Sequence, residues 1–309
     1  MLVVYWKELQ DHFSSLRFMI LLALIILPGI LSVYFAGQGL QASLREDPTE
    51  HVFLRLLTTE SIFFSLSSFL GFFGPLVGIT LGFDSISGEY GRGTLSRVLS
   101  QPIYRDSLIN GKFLAGLTTL AILWVSILLV VIGLGTTLIG YFPNAEELWR
   151  MLFFAIVGIA YTGFWLALAM LLSMLLRRTV TAALASIALW LFLGLFIGVL
   201  AGFAAGLIVP NPATTEDVAR LATVETVLGR MSPSTLYSES VRLLLNPVAR
   251  TLVPVLPEQL GQLQGLIVTP LSLGQSMRLI LPMFFTLLAL VAVCFGIAYI
   301  KFMRTEIRA

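Results

Sequence analysis

Charge is scarce in this 309-residue chain: Asp, Glu, Lys and Arg together make up only 12% of it, about half the share usual in soluble domains. The few charges sit in short connections and leave long apolar runs bare. With 57% of the residues hydrophobic and a mean hydropathy of +0.93, the solvent of this chain is lipid. Cys294 is the single cysteine, which excludes an intrachain disulfide and any multi-cysteine metal site. In its apolar stretch it reads as a small buried hydrophobe. His12 and His51 are the only histidines, too few for a His-rich metal centre. No basic run marks a nucleic-acid surface, and the net charge is +2. The Gly-x-x-x-x-Gly-Lys-Ser/Thr phosphate loop is missing as well. Gly111-Lys112 lacks its earlier glycine, because Asp106 stands there. Neither His-Glu-x-x-His nor Gly-x-Ser-x-Gly occurs. These absences argue against an intramembrane enzyme and place any ATPase on a separate polypeptide.

What is present is a set of six apolar runs, each near the 20 or so residues that cross a bilayer. They cover 18–35, 61–83, 113–140, 151–176, 180–209 and 279–300, and none contains Asp, Glu, Lys, Arg or His. An ion-coupled carrier needs ionisable groups at membrane depth, so these spans draw their energy from elsewhere or form a passive structure. With a cytoplasmic N-terminus, the inner segments hold Lys7, Arg17, Arg92, Arg97, Arg105, Lys112, Arg177, Arg178, Lys301, Arg304 and Arg308. The outer segments hold Arg45, Arg55 and Arg150, plus five arginines in the long 210–278 connection, which weighs little in the positive-inside rule. Both termini are therefore expected in the cytoplasm. The first run follows a 17-residue segment and has no small-x-small cleavage site, so it is read as a retained span.

In the first 17 residues, Leu2, Trp6, Leu9, Phe13 and Leu16 recur on one helical face. This predicts an interfacial helix lying in the membrane plane with Trp6, Leu9 and Phe13 toward lipid. Segment 210–278 is expected to be an extracellular loop of short helices separated by prolines. Thr215–Gly229 carries Glu216 and Asp217 in its first turn, which suits a helix N-terminus. Ser232-Pro233 reads as a cap followed by proline at the first helical position, opening a helix to Leu245. That piece is apolar enough to dip into the membrane or cap the bundle.

The connection between the second and third runs, 84–105, changes character abruptly at Asp84. Gly88, Gly91 and Gly93 permit a chain reversal. Thr94 then caps a short helix, Leu95 to Gln101, that Pro102 ends. Leu95, Val98 and Leu99 share one face, Arg97 projects elsewhere, and Arg92 and Arg105 flank the helix. An apolar face on a cytoplasmic helix without a partner in its own chain fits a groove on another protein. It suits a coupling helix that transmits the motion of a soluble motor.

The phrase Phe83-Asp84-x-Ile86-x-Gly88-Glu89-x-x-x-Gly93-Thr94-Leu95-x-x-x-Leu99-Ser100-x-Pro102-x-x-Arg105, followed by Gly111-Lys112-Phe113, resembles the same connection in permeases of the ABC-2 type. So do the helix before the first span, the six spans and the pieces between the fifth and sixth. The Ser232-Pro233-Ser234-Thr235-Leu236-Tyr237 segment is similar to a proline-and-tyrosine motif of that loop. The final loop is longer here than in compact members, which leaves the cargo unread. The resemblance implies an all-α polytopic fold with a cytoplasmic coupling helix, in the plasma membrane of a prokaryote. It implies a permease homodimer docked on two copies of a separate ABC ATPase subunit, which would carry the ATP and Mg; this chain would bind no cofactor itself. Asp84, Glu89, Arg92 and Arg97 would lie near the ATPase, and Leu95, Val98 and Leu99 in its docking groove. Arg177 and Arg178 form the second cytoplasmic turn, as ATPase contacts or as topology determinants. Transport would be export.

Two glycine series stand four residues apart: Gly74, Gly78, Gly82 and Gly194, Gly198, Gly202, Gly206. Such spacing lets helix backbones approach closely, either between copies or within one chain. Two further functions stay open: a lipid-modifying membrane enzyme using Asp84, Glu89 or His12, and a scaffold that recruits a cytosolic protein.

Overall fold

The computed structural model describes residues 1–44, 51–58, 65–93, 104–176, 178–210, 212, 214–247 and 271–305. No strand occurs among them. The chain opens with α1 (Leu2–Ser14), which the extended backbone of Ser15 separates from α2 (Leu16–Leu44). Then come a short buried α3 (Val52–Thr58), α4 (Leu66–Gly82), the single-turn α5 (Ser87–Gly91), α6 (Arg105–Ile139) and α7 (Ala145–Leu175). A continuous rod follows: α8 (Thr179–Leu191), a π turn (Phe192–Phe196) and α9 (Ile197–Ile208). α10 (Thr215–Gly229), α11 (Pro233–Leu245) and α12 (Leu273–Arg304) complete it.

Among the described residues, five helices are long and apolar enough to cross a membrane: Leu16–Leu40, Arg105–Ile139, Ala145–Leu175, Thr179–Ile208 and Leu273–Arg304. The run expected at 61–83 is represented by α4, 17 residues long; residues 61–64 lie outside the described set. The helices overrun the apolar segments because caps, not hydropathy, set their ends. Asn144 accepts from the Glu147 backbone N–H at 2.8 Å while the Glu147 carboxylate accepts from the Asn144 N–H at 3.0 Å. This capping box starts α7 six residues before its apolar run. Ser272 and Gln275 do the same for α12.

The centre of the bundle is α7, which packs against α4, α6, α8, α11 and α12. The series Gly74, Gly78 and Gly82 is the seam between α4 and α7 within this chain. A Cβ at Gly74 would meet the Thr162 methyl at 3.1 Å, and one at Gly82 the Leu166 carbonyl at 2.7 Å. At Gly78 a Cβ would overlap the Thr162 carbonyl oxygen. The second series behaves differently. Gly198 and Gly206 have nothing within 4 Å, while Gly194 faces the Ser234 hydroxyl and Gly202 the Glu225 carboxylate. The π turn at Phe192–Phe196 shifts Gly194 relative to Gly198, Gly202 and Gly206, which lie beyond it in regular helix. Gly78→Ala is therefore expected to destabilise the chain by about 1–3 kcal/mol through overpacking. Gly198→Ala should be neutral or slightly stabilising, since mid-helix glycine is about 0.5–1 kcal/mol worse than alanine. Thermal unfolding of the purified variants in one detergent checks this, and equal midpoints would refute the seam.

The expected extracellular loop helix α11 lies inside the bundle against α4, α7 and α12. Leu236, Tyr237, Ser240, Val241 and Leu243–Leu245 are all buried. Burial on this scale needs apolar neighbours on most sides, and only the face bearing Ser238 and Arg242 stays exposed. Ser232 accepts from the Ser234 N–H at 3.2 Å and starts the helix at Pro233, as its sequence predicts. The Tyr237 ring fills the notch at Gly71, where a Cβ would stand 2.8 Å away, and its hydroxyl donates to the Ser67 carbonyl at 3.2 Å. Tyr161 stacks on it at 4.5 Å and donates to the Gly71 carbonyl at 2.9 Å. α10, by contrast, stands against α9 and keeps much of its surface open.

At the α11 end of α7, Arg150 is fully buried. Its guanidinium donates to the Leu244 carbonyl (3.0 Å), the Ser276 hydroxyl (3.2 Å), the Leu271 carbonyl (2.6 Å) and the Glu146 carboxylate (2.8 Å). One side chain thus ties α7 to the end of α11 and the start of α12. Beside it, the Glu147 carboxylate accepts the Phe53 N–H at 2.8 Å and anchors α3.

Candidate coupling site

The site forms where α1 crosses α6. At Gly111 a Cβ would meet the Val4 side chain at 3.0 Å and the Tyr5 backbone nitrogen at 3.3 Å, so only glycine admits α1 this close. The next residue, Lys112, then reaches across. Its Nζ lies 2.8 Å from Glu8 Oε1 on α1 and 2.8 Å from Glu89 Oε1 on α5. All three side chains are largely buried, at 5%, 13% and 10% exposure. Tyr5 donates to the Thr118 hydroxyl at 3.1 Å. His12 Nδ1 lies 3.1 Å from the Thr119 hydroxyl, which itself donates to the Ala115 carbonyl. That commitment assigns the proton to Nδ1, donating to Thr119.

This face of α1 holds Val4, Tyr5, Glu8 and His12. The opposite face presents Leu2, Trp6, Phe13 and Leu16, all exposed, with Leu9 half-buried. That is the apolar face the spacing predicts, exposed on the side away from α6. α1 therefore has a greasy outer side and a polar inner side clamped to the bundle.

The turn after α4 is tied to α7 as well. The Ser173 hydroxyl accepts from the N–H groups of Ile86 (3.1 Å) and Ser87 (2.9 Å). α5 also packs against α8, whose N-cap is the exposed Arg178. The 84–93 turn and the Arg178 turn, set apart in sequence, are thus brought together. Asp84 pairs with Arg17 at 3.3 Å. Arg92 is exposed, with its guanidinium beside Gly88. Gly88 and Gly91 lie in the helical turn of α5, so they do not make the expected reversal. Only Gly93 uses its freedom, at φ +65°. Leu95, Arg97, Val98, Leu99 and Arg177 lie outside the described residues.

Sequence reading missed Glu8, Lys112 as an ion-pair partner, and Ser173. Lys112 was the readable one: a lysine directly after glycine at the lip of an apolar run needs a buried acid. Glu8 and His12, four apart on the non-greasy face of α1, supply the matching polar stripe.

Burial opposes ionisation of Glu8, but Lys112 outweighs it, aided by Lys7, and holds the carboxyl below its ordinary 4.5. Burial, with Lys112 adding to it, pushes His12 below 6.5; Glu8, Asp84 and Asp11 only partly offset this. Both folded values lie under the unfolded ones, so the unfolded chain binds more protons and stability rises with pH. Docking of α1 is expected to be fully present above pH 6.5, to weaken as pH falls through the depressed His12 value, and to weaken again below about 4.5 as Glu8 protonates. Hydrogen exchange of the α1 amides against pH checks this. His12→Gln should remove the upper limb alone, and an unchanged profile would refute the assignment.

A bundle of helices long and apolar enough to cross a membrane, with an amphipathic helix clamped to a polar turn at one end, defines a multi-pass membrane protein. The chain belongs to the ABC-2 family of transporter proteins, whose family model matches residues 2–307. It is similar to the probable ABC transporter permease protein NosY of Stutzerimonas stutzeri, 34% identical over 129 residues that cover 42% of this chain and 41% of that protein. It is also similar to the protein of that name from Pseudomonas aeruginosa, 36% identical over 108 residues, 35% of each chain. The chain thus spans about two fifths and about one third of these relatives' lengths.

Proposed function

We propose that this chain is the permease subunit of an ATP-driven exporter, moving cargo with ATP hydrolysed on a separate subunit and performing no covalent chemistry itself. The observation that carries this is the buried Glu8–Lys112–Glu89 triad. It welds α1, the α5 turn and the start of α6 into one body directly beside segment 94–103. A push delivered there passes into α4 and α6 without slack, and from α4 to α7 through the glycine seam. Family membership supports the same reading. α4, rising about 25 Å at 1.5 Å per residue, serves as the sixth crossing, so both termini share the cytoplasmic face of a prokaryotic plasma membrane. Leu95, Val98 and Leu99 enter a groove on the ATPase, with Arg97, Arg92 and Arg177 around it, and two permeases pair over two ATPases that hold the ATP and Mg.

Purified alone, the chain is expected to hydrolyse no ATP. Reconstituted with its ATPase, it should couple hydrolysis to transport into vesicles. Leu95→Asp with Leu99→Asp should abolish that coupling while leaving the fold intact. Full coupling in this variant would overturn the docking assignment, and hydrolysis without any ATP-dependent transport would favour the scaffold.

A further inference from the structure

At the end of the bundle opposite α1, a cleft of about 790 Å³ enters between α4, the rod around the π turn, and α11. Its walls are rich in hydroxyls, contributed by the start of α4 and by α11. Among its described lining residues Arg242 is the one charged side chain, and there is no carboxylate. Arg242 is exposed and has no ion-pair partner among the described residues. The cleft therefore presents hydrogen-bond donors and positive charge at its mouth. Deeper in, Trp190 is 7% exposed and lies beside Gly194. Its indole N–H has no hydrogen-bond partner among the described residues, and its ring meets the Phe72 ring edge-on, with centroids 5.2 Å apart. That donor lines the cavity and is open to it. The remaining wall is apolar: Phe72 at 43% and Leu195 at 51% exposure stand next to it.

We propose that this cleft binds an anionic acyl amphiphile. Its phosphate or carboxylate sits on Arg242 and the mouth hydroxyls. An ester or amide carbonyl accepts the Trp190 N–H, and the chain lies along Phe72 and Leu195. The groups that line the cleft (a cation, hydroxyls, one unpartnered N–H and an apolar wall) match the groups of such a molecule. Neither a free anion nor a neutral lipid uses every part of it. The amphiphile as cargo rests on reading the chain as a permease, but its binding does not.

The test is equilibrium binding to the purified full chain in a neutral maltoside detergent, without ATPase. The probes are 1-oleoyl lysophosphatidate, oleyl phosphate (no carbonyl), monoolein (no charge) and inorganic phosphate. Lysophosphatidate is expected to bind saturably, and Arg242→Gln to weaken it at least about tenfold, the worth of a charge-assisted hydrogen bond. Trp190→Phe should weaken lysophosphatidate while leaving oleyl phosphate unchanged. A thermal midpoint equal to that of the parent chain certifies each variant's fold. Equal binding of monoolein, binding of inorganic phosphate as tight as that of lysophosphatidate, or indifference to Arg242→Gln would each overturn the proposal. Such a failure leaves ATP-coupled transport standing. Intact binding with no coupling to an ATPase would sink the permease reading instead.

Discussion

Lys112→Met should cost the chain about 3–5 kcal/mol and release α1 from the bundle. Among the described residues, Lys112 is the cation that bridges Glu8 and Glu89, 2.8 Å from each. Removing it takes their shared partner from two largely buried carboxylates, leaving Glu8 with the exposed Lys7 at 3.5 Å, and breaking such a buried pair is strongly destabilising. The pair's own net worth is smaller, because burying the three charges already offsets much of their attraction. Combining Lys112→Met with Glu8→Gln and Glu89→Gln should therefore recover most of the loss. Unfolding in detergent measures the cost, and limited proteolysis within α1 measures the release. A Lys112→Met chain as stable as its parent would show that the triad is not closed in solution. The recovered triple variant separates two roles. If it is stable yet transmits no ATPase-driven motion, the charges serve coupling; if it does both, they serve only assembly.

Arg150→Met is the second large effect, again about 3–5 kcal/mol, and at the other end of the bundle. The fully buried guanidinium satisfies two carbonyls, one hydroxyl and one carboxylate drawn from three helices and the segment before α12. A thioether satisfies none of them. Lysine should rescue little, because a single ammonium cannot reproduce the planar fork that reaches all four groups. Trp149→Ala next to it, where the ring is 53% exposed, should cost far less in the same unfolding measurement. If Arg150→Met unfolds no more easily than Trp149→Ala, the tie between α7, α11 and α12 is not what holds that end together.

Much of this architecture is legible in the letters, for definite reasons. The apolar runs, the helix Thr215–Gly229 and the start of α11 at Ser232-Pro233 all follow from local rules: hydropathy, an acidic first turn, a serine cap before proline. The apolar face of α1 follows from periodicity. What local rules cannot give is partnership. Glu8 and Lys112 are 104 positions apart, and nothing near either names the other. Arg150 looks like an ordinary charge at the outer edge of a span, yet it is the most buried cation among the described residues. α11 is apolar enough to read as dipping into the membrane or capping the bundle, but its partners, the notch at Gly71 and the stacked Tyr161, are not written near it. The two glycine series are identical in spacing. Backbone geometry alone distinguishes the one that closes a seam from the one that does not.

The wide turn at Phe192–Phe196 has a mechanical consequence. A rod of uniform pitch transmits torsion along its whole length; one interrupted by a looser coil yields there first. The half bearing Trp190 can swivel about its axis while Ala201 and Ala205 stay seated in place. A turn of the Trp190 half alone would change the width of the cleft while leaving α9 and α10 packed together.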